Sequence, residues 1–267
     1  MPVLGLGTFL MNDPSACKKN VLDAIGIGYR LVDTAQGYGN EDQIGNAIAQ
    51  CAVPREELFI TTKVWFKNYE HTRVSVEKSL RKLQTEYLDL VLLHWPFGNT
   101  YAAWRALEEM YAEGKIRAIG VSNYNAARLI DLIEYNKVIP AVNQIETNLI
   151  SQQVENRKWM DKYNVQHQGY APFGQGRMDD MYNDPQLTLV AEKYNKTVRQ
   201  IVLRFQLQSG VIVIPKSVNA ERMKENFEVF DFELTNDDMA LLQGFDKAAP
   251  MIGNPENPEK VVASLGW

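Results

Sequence analysis

Several marks of secreted, metal-bound or membrane proteins are missing from this chain of 267 residues. There are two cysteines, Cys17 and Cys51, both expected in helices. They form no metal-ligand cluster and imply no disulfide framework. No run of about 18 apolar residues occurs, and the N-terminus does not read as a secretory signal. A cytoplasmic enzyme without a metal site is the expectation. An excess of positive charge is missing too. A net charge of −5 gives no reason to expect nucleic acid or an anionic membrane as partner. An acidic chain can still hold a local basic pocket, so a phosphate ligand stays open. No Gly-x-Gly-x-x-Gly follows the first predicted strand. Gly5-Leu6-Gly7-Thr8 is incomplete, and an open dinucleotide-binding sheet loses its main support. Low-complexity segments and linkers are absent, so one domain over residues 1–267 is expected.

What is present is alternation. Short β-branched runs at residues 3–7, 31–34, 58–63, 88–94, 118–122, 141–146, 165–170 and 211–215 are separated by helical patterns. The stretches 73–83, 102–113 and 126–135 are amphipathic. In the second, Trp104, Leu107, Met110 and Tyr111 recur at helical spacing. Such alternation implies a parallel sheet covered by helices. Eight units in a chain of about 250 residues imply closure into an α/β barrel of the (β/α)8 TIM type. The seventh interval is longer. Residues 170–184, rich in Gly, Pro, Asp and Asn, read as a loop at the barrel mouth, followed by helices at 185–194 and 198–208. Further helices are expected at 219–226 and 236–245. The tail, 249–267, is expected as an irregular flap near the mouth.

Four polar residues stand at strand ends. Asp33, Lys63 and His94 close the second, third and fourth predicted strands, and Tyr38 follows Asp33 by five residues. In a parallel barrel these groups converge on the mouth where barrel enzymes keep their chemistry. An acid, an amine, a phenol and an imidazole in one apolar pocket make a proton-donating site. Tyr38 is the candidate general acid. Lys63 would lower the phenol pKa, Asp33 would hold the ammonium, and His94 would hydrogen-bond a carbonyl oxygen. Taken singly, a tyrosine in a Gly-flanked turn is usually surface, and an aspartate after a strand often caps a helix. Lys63 is harder to set aside, because a charge closing an apolar strand needs a partner.

The same residues carry a family resemblance. Gly28-Tyr29-Arg30-Leu31-Val32-Asp33-Thr34-Ala35, with Tyr38-Gly39-Asn40-Glu41, resembles the aldo-keto reductases. So do Thr62-Lys63-Val64-Trp65, Leu93-His94-Trp95-Pro96, Ile119-Gly120-Val121-Ser122-Asn123 and Ile214-Pro215-Lys216-Ser217-Val218, in family order over nearly the whole chain. Phe173-Gly174-Gln175-Gly176 and the segment from Val229 to Thr235 resemble short bacterial members such as the 2,5-diketogluconate reductases. The resemblance implies an NADPH-dependent reductase of small-molecule aldehydes and ketones, acting as a monomer. It assigns Ser122, Asn123 and Gln144 to the nicotinamide carboxamide and Tyr170 to stacking on its ring. Phe173 and Gln175 would pass over the pyrophosphate, and Thr8 would join the cofactor site. Lys216, Ser217 and Arg222 would hold the adenosine 2′-phosphate, with Glu225 and Asn226 at the adenine. Two cations and a hydroxyl at a helix start suit a phosphate. Arg222 and Glu225 could instead form a solvated pair.

Phe9, Trp65, Trp95 and Phe97 follow predicted strands and would wall the substrate pocket. Three departures from the family pattern stand out. Ala171 replaces a common serine, Phe9 replaces a frequent tryptophan, and the usual N-terminal hairpin ahead of Pro2 is not in the sequence. Two rivals remain. One is a non-catalytic, nucleotide-binding relative that regulates a partner. The other is a barrel enzyme using Lys63 as a Schiff-base nucleophile.

Overall fold

The computed structural model describes every residue except Gly253 and Trp267, and every other side chain except that of Lys260. Eight strands run β1 (Gly5–Gly7), β2 (Leu31–Asp33), β3 (Phe59–Val64), β4 (Leu90–Leu93), β5 (Ile119–Ser122), β6 (Val142–Glu146), β7 (Gln166–Tyr170) and β8 (Ile212–Val213). Each pairs in parallel with the next. A bridge from Leu4 to Val213, with the Val213 N–H donating to the Val3 carbonyl at 3.0 Å, joins the last strand to the first. The result is the (β/α)8 barrel that the alternation implies.

Strand parity decides what faces the barrel interior. Successive side chains point to opposite faces. Leu31, Leu90, Leu92, Val142, Ile212 and Ile214 fill the inside with Phe59. Val32, Ile60, Val91, Leu93, Val121, Ile145 and Val213 pack outward against the helices. Burial on both faces explains why the strands read as apolar runs rather than as alternation. Gly120 lies on the inward parity of β5. A Cβ there would sit 2.6 Å from the Val142 carbonyl oxygen and 2.7 Å from the Leu92 side chain, so only glycine fits.

The helices are α1 (Pro14–Ile27), α2 (Glu41–Gln50), α3 (Thr72–Lys82), α4 (Thr100–Ala112), α5 (Ala126–Glu134), α6 (Val154–Lys162), α7 (Pro185–Tyr194), α8 (Val198–Gln208), α9 (Ala220–Phe227), α10 (Asn236–Gln243) and α11 (Pro258–Leu265). Local chemistry sets several starts. Asp13 and Asp184 accept first-turn N–H groups just ahead of a proline, and Thr197 with Gln200 and Thr235 with Asp238 form capping boxes. Cys17 is buried in α1 and unpaired, and burial pushes its thiol up to about 11. No described helix is long and apolar enough to cross a membrane.

The tail departs from expectation. It is not irregular throughout, because Pro258 opens α11, which lies over the loop after β4. Trp267, the end of that expected flap, lies outside the described residues. The expected loop at 170–184 is present and contains two short helical turns, Gly174–Gly176 and Asp179–Asn183.

Candidate active site

Asp33, Lys63 and His94 lie on the inward parity of β2, β3 and β4, just above the apolar interior. Tyr38 enters the same space from the turn Gln36–Tyr38, which Gly39 closes with a φ of 70°. Lys63 Nζ lies 2.5 Å from Asp33 Oδ1, 2.9 Å from the Thr34 carbonyl and 3.4 Å from the Tyr38 hydroxyl. All three ammonium donors are thereby engaged. Gln144 Nε2 donates to the other Asp33 oxygen at 2.7 Å. The Tyr38 and His94 rings stand edge-on with centroids 5.7 Å apart. His94 Nδ1 is buried without a hydrogen-bond partner among the described residues.

Burial governs the charge state of this cluster. Lys63 is 0% and Asp33 2% exposed. Burial raises the Asp33 carboxyl and lowers the Lys63 ammonium, and each charge opposes the shift of the other. Removing either would leave an uncompensated buried charge. Burial, assisted by Lys63, holds the His94 imidazole well below its ordinary value, so it is neutral at pH 7. One expectation is corrected here. The net shift of the Tyr38 pKa is upward, not downward. Burial first, and the Asp33 carboxylate second, push the phenol well above its ordinary value. Tyr38 therefore keeps its proton and stands as a loaded donor.

The expected cofactor residues form two groups. At the mouth, Ser122 Oγ donates to the Gln144 carbonyl at 2.9 Å, and Asn123 Nδ2 donates to the His94 carbonyl at 3.0 Å. The Tyr170 hydroxyl donates to Asn123 Oδ1 at 2.8 Å. Asn123 has a φ of 63°, a left-handed backbone that asparagine tolerates better than most residues. Gln144 is turned inward, spending its amide on Asp33 and on Gln168 Oε1 at 2.8 Å. Thr8 is fully buried, and its hydroxyl goes to the Asp33 carbonyl at 2.9 Å, so it braces the acid rather than opening toward a ligand.

At the far side, Ser217 is tied to Asn219, which caps α9. Lys216 and Arg222 are exposed, and neither has an ion-pair partner among the described residues. Glu225 does not pair with Arg222, because it accepts the Thr197 hydroxyl at 2.6 Å. Asn226 is buried, and its side chain makes no hydrogen bond to a described residue. Unpaired cations beside an unspent amide are the chemistry a nucleotide phosphate and base require. Phe173 packs edge-on to Tyr182 with centroids 6.4 Å apart, and Gln175 is exposed with a φ of 52°. Ala171 is also left-handed, with a φ of 51°.

The expected pocket aromatics surround the acid. Phe9 lies 5.0 Å from Tyr38, and Trp65 stands edge-on to His94 at 5.2 Å. Trp95 stacks toward His94 at 6.2 Å, and Phe97 stacks on Trp95 at 5.4 Å.

Sequence reasoning missed four supports. Asn40 accepts the Thr34 hydroxyl and donates to the Thr8 carbonyl. Gln36 accepts from the Trp65 N–H and from Asn68. The Tyr69 hydroxyl bonds both the carbonyl and the N–H of Trp95. Glu146, closing β6, accepts the N–H groups of Met251 and Ile252 at 2.8 and 2.7 Å. Glu146 could have been found by the argument applied to Lys63: a charge that ends a buried strand needs partners. Tyr69 gives no such signal.

The family model described as "Aldo/keto reductase family" matches residues 3–247. The chain belongs to the aldo/keto reductase family. A glyoxal reductase from Bacillus subtilis is 43% identical over 259 residues, covering 96% of this chain and 93% of that one. An aldo-keto reductase from a Medee basin deep-sea metagenome library superposes with a TM-score of 0.93 at 39% identity, covering 96% of each chain. A Bombyx mori aldo-keto reductase in complex with NADP has a TM-score of 0.88 at 33% identity, covering 93% of this chain and 90% of that one. This family member is an oxidoreductase acting on carbonyl groups.

Proposed function

We propose that this reductase converts small aldehydes and ketones to alcohols with NADPH, and that Tyr38 is the proton donor. The observation that carries the reading is a protonated phenol 3.4 Å from a buried ammonium, facing a neutral imidazole. A carbonyl oxygen placed between Tyr38 and His94 accepts a hydrogen bond from each and is fixed in position. When bound, reduced nicotinamide supplies the hydride that adds to the carbonyl carbon. The π electron pair moves onto oxygen, and the Tyr38 O–H proton passes to it, giving the alcohol. The phenolate left behind lies beside Lys63 Nζ, whose charge stabilises it until solvent returns a proton. Asp33 keeps the ammonium charged and aimed.

Ser122, Asn123 and Gln144 would hold the carboxamide, with Tyr170 against the ring. Lys216, Ser217 and Arg222 would hold the 2′-phosphate, with Glu225 and Asn226 at the adenine and Phe173 and Gln175 over the pyrophosphate. Ala171 has no hydroxyl to offer the cofactor. A Schiff-base role for Lys63 is disfavoured, because all three of its donors are engaged. The test is loss of NADPH absorbance with a panel of aldehydes and ketones. Turnover that needs no reduced nucleotide, or trapping of Lys63 by borohydride, would overturn the reading.

A further inference from the structure

Beside the substrate mouth lies a cavity of about 470 Å³ between the loop after β4 and α11. Its walls are mostly apolar, with Pro96, Phe97, Pro255, Val261 and Val262 among them. Phe97 connects it to the acid–base group. Two stacked ring-to-ring steps, 6.2 and 5.4 Å, lead from His94 through Trp95 to Phe97. The cavity therefore continues the aromatic wall away from the carbonyl position.

Among the described lining residues the cation is Arg128, in the first turn of α5. Two carboxylates lie near it, and each accepts a hydrogen bond from another residue. Asp131, three residues along α5, accepts the Tyr101 hydroxyl. Glu256, in the cavity wall itself, accepts Asn125 Nδ2 at 2.6 Å. Arg128 forms no ion pair with a described residue. A guanidinium is a planar fork matched to a carboxylate, and one left unpaired beside an apolar channel is placed to read an anionic group. We infer that Arg128 selects carbonyl substrates whose chain ends in a carboxylate remote from the carbonyl, the apolar cavity holding the chain between. This rests on the reductase reading above and names the substrate class that reading leaves open.

The probe is a homologous series of linear aldehydes ending in a carboxylate, each compared with the primary amide of equal length. The expected result is a kcat/KM preference for the acid that emerges only in the longer members. Because Arg128 is exposed, the preference should be about two- to fivefold, the range of a solvated ion pair. Arg128→Gln should abolish it and leave the amides unchanged, and Glu256→Gln should enlarge it. Equal rates for acids and amides, a preference independent of chain length, or one that survives Arg128→Gln would overturn the inference. If no aldehyde of either series were reduced, the reductase reading would fall instead. Binding of octanoate against octanamide by calorimetry, in wild type and Arg128→Gln, then still decides the cavity: tighter octanoate binding lost in the variant supports it, and equal binding refutes it.

Discussion

Two buried ionic clusters occupy opposite ends of the barrel, and they are built differently. At the base, Asp89 accepts from Arg55 at 2.7 Å, from Arg117 at 3.3 Å and from the Ile60 N–H at 3.0 Å. The Tyr87 ring lies between the two guanidinium groups, 4.2 and 3.7 Å from them. Arg117 is 53% exposed, so that cluster is partly wet. At the mouth, Asp33 and Lys63 are dry, and the groups around them are under-committed. His94 Nδ1 has no partner, and Tyr38 meets the ammonium only at 3.4 Å. The base spends its polar groups on one another. The mouth keeps a proton and an imidazole unspent, which is what a third body, a substrate, requires.

The sharpest break in this comparison is Tyr38→Phe. The ring and its contact with Phe9 remain while the donor is lost. Turnover should fall roughly 10²–10⁴-fold with nucleotide affinity nearly intact, measured by steady-state kinetics and fluorescence titration. Carbonyl reduction at near wild-type rate would exclude Tyr38 as the acid.

Asp89→Asn should do the reverse. Losing the carboxylate between two arginines should lower the unfolding free energy by about 2–3 kcal/mol, less than for a dry pair because both arginines reach solvent. Urea denaturation reports this, and activity per folded molecule should stay within about twofold. A variant that kept its stability but lost turnover would erase the distinction between the two ends.

Arg222 extends the contrast to a cation with no ion-pair partner among the described residues. NADPH should bind at least about tenfold more tightly than NADH, and Arg222→Ala or high salt should narrow the gap. Equal dissociation constants for the two nucleotides in wild type would count against the phosphate site.

The smallest effect at neutral pH concerns His167, on the outward face of β7, which bonds Thr147 at 2.8 Å. Burial lowers its pKa from 6.5 to about 3. The unfolded chain therefore binds the proton between those values while the native state does not, and stability falls as pH drops below 6.5. The slope attributable to one such group is at most about 1.4 kcal/mol per pH unit. His167→Asn should flatten the dependence of urea midpoint on pH over that window. An unchanged slope would show that His167 protonates without unfolding.

Much of this architecture was legible in the sequence because the barrel repeats one unit eight times. Most strands, β7 apart, are rich in apolar residues, and Asp33, Lys63 and His94, at or beside the ends of β2, β3 and β4, are polar against that background. The tail was less legible. Pro258 reads as a breaker, yet a proline at the first helical position opens a helix as readily as it stops one, and here it begins α11. The direction of the Tyr38 shift was also hidden. It depends first on the burial of Tyr38 and second on the nearby Asp33 carboxylate, and linear spacing encodes neither. Likewise, Arg128 is an ordinary helix-surface residue until the partners of Asp131 and Glu256 are known.

The order of strands around the ring bears on folding. Every pairing from β1 to β8 joins neighbours in sequence, so each closes over a single strand–helix unit. Closure alone, Val3 and Leu4 meeting Val213, spans the chain. The proposed proton-transfer residues all come from the first three strand–loop units after β1, and the proposed nucleotide contacts come mainly from β5 onward. The two half-sites thus ripen separately along the chain. A partly folded molecule missing only that final seam could hold each arc in near-native form and still have no activity. Catalysis should return during refolding later than helix content does, in step with the seam.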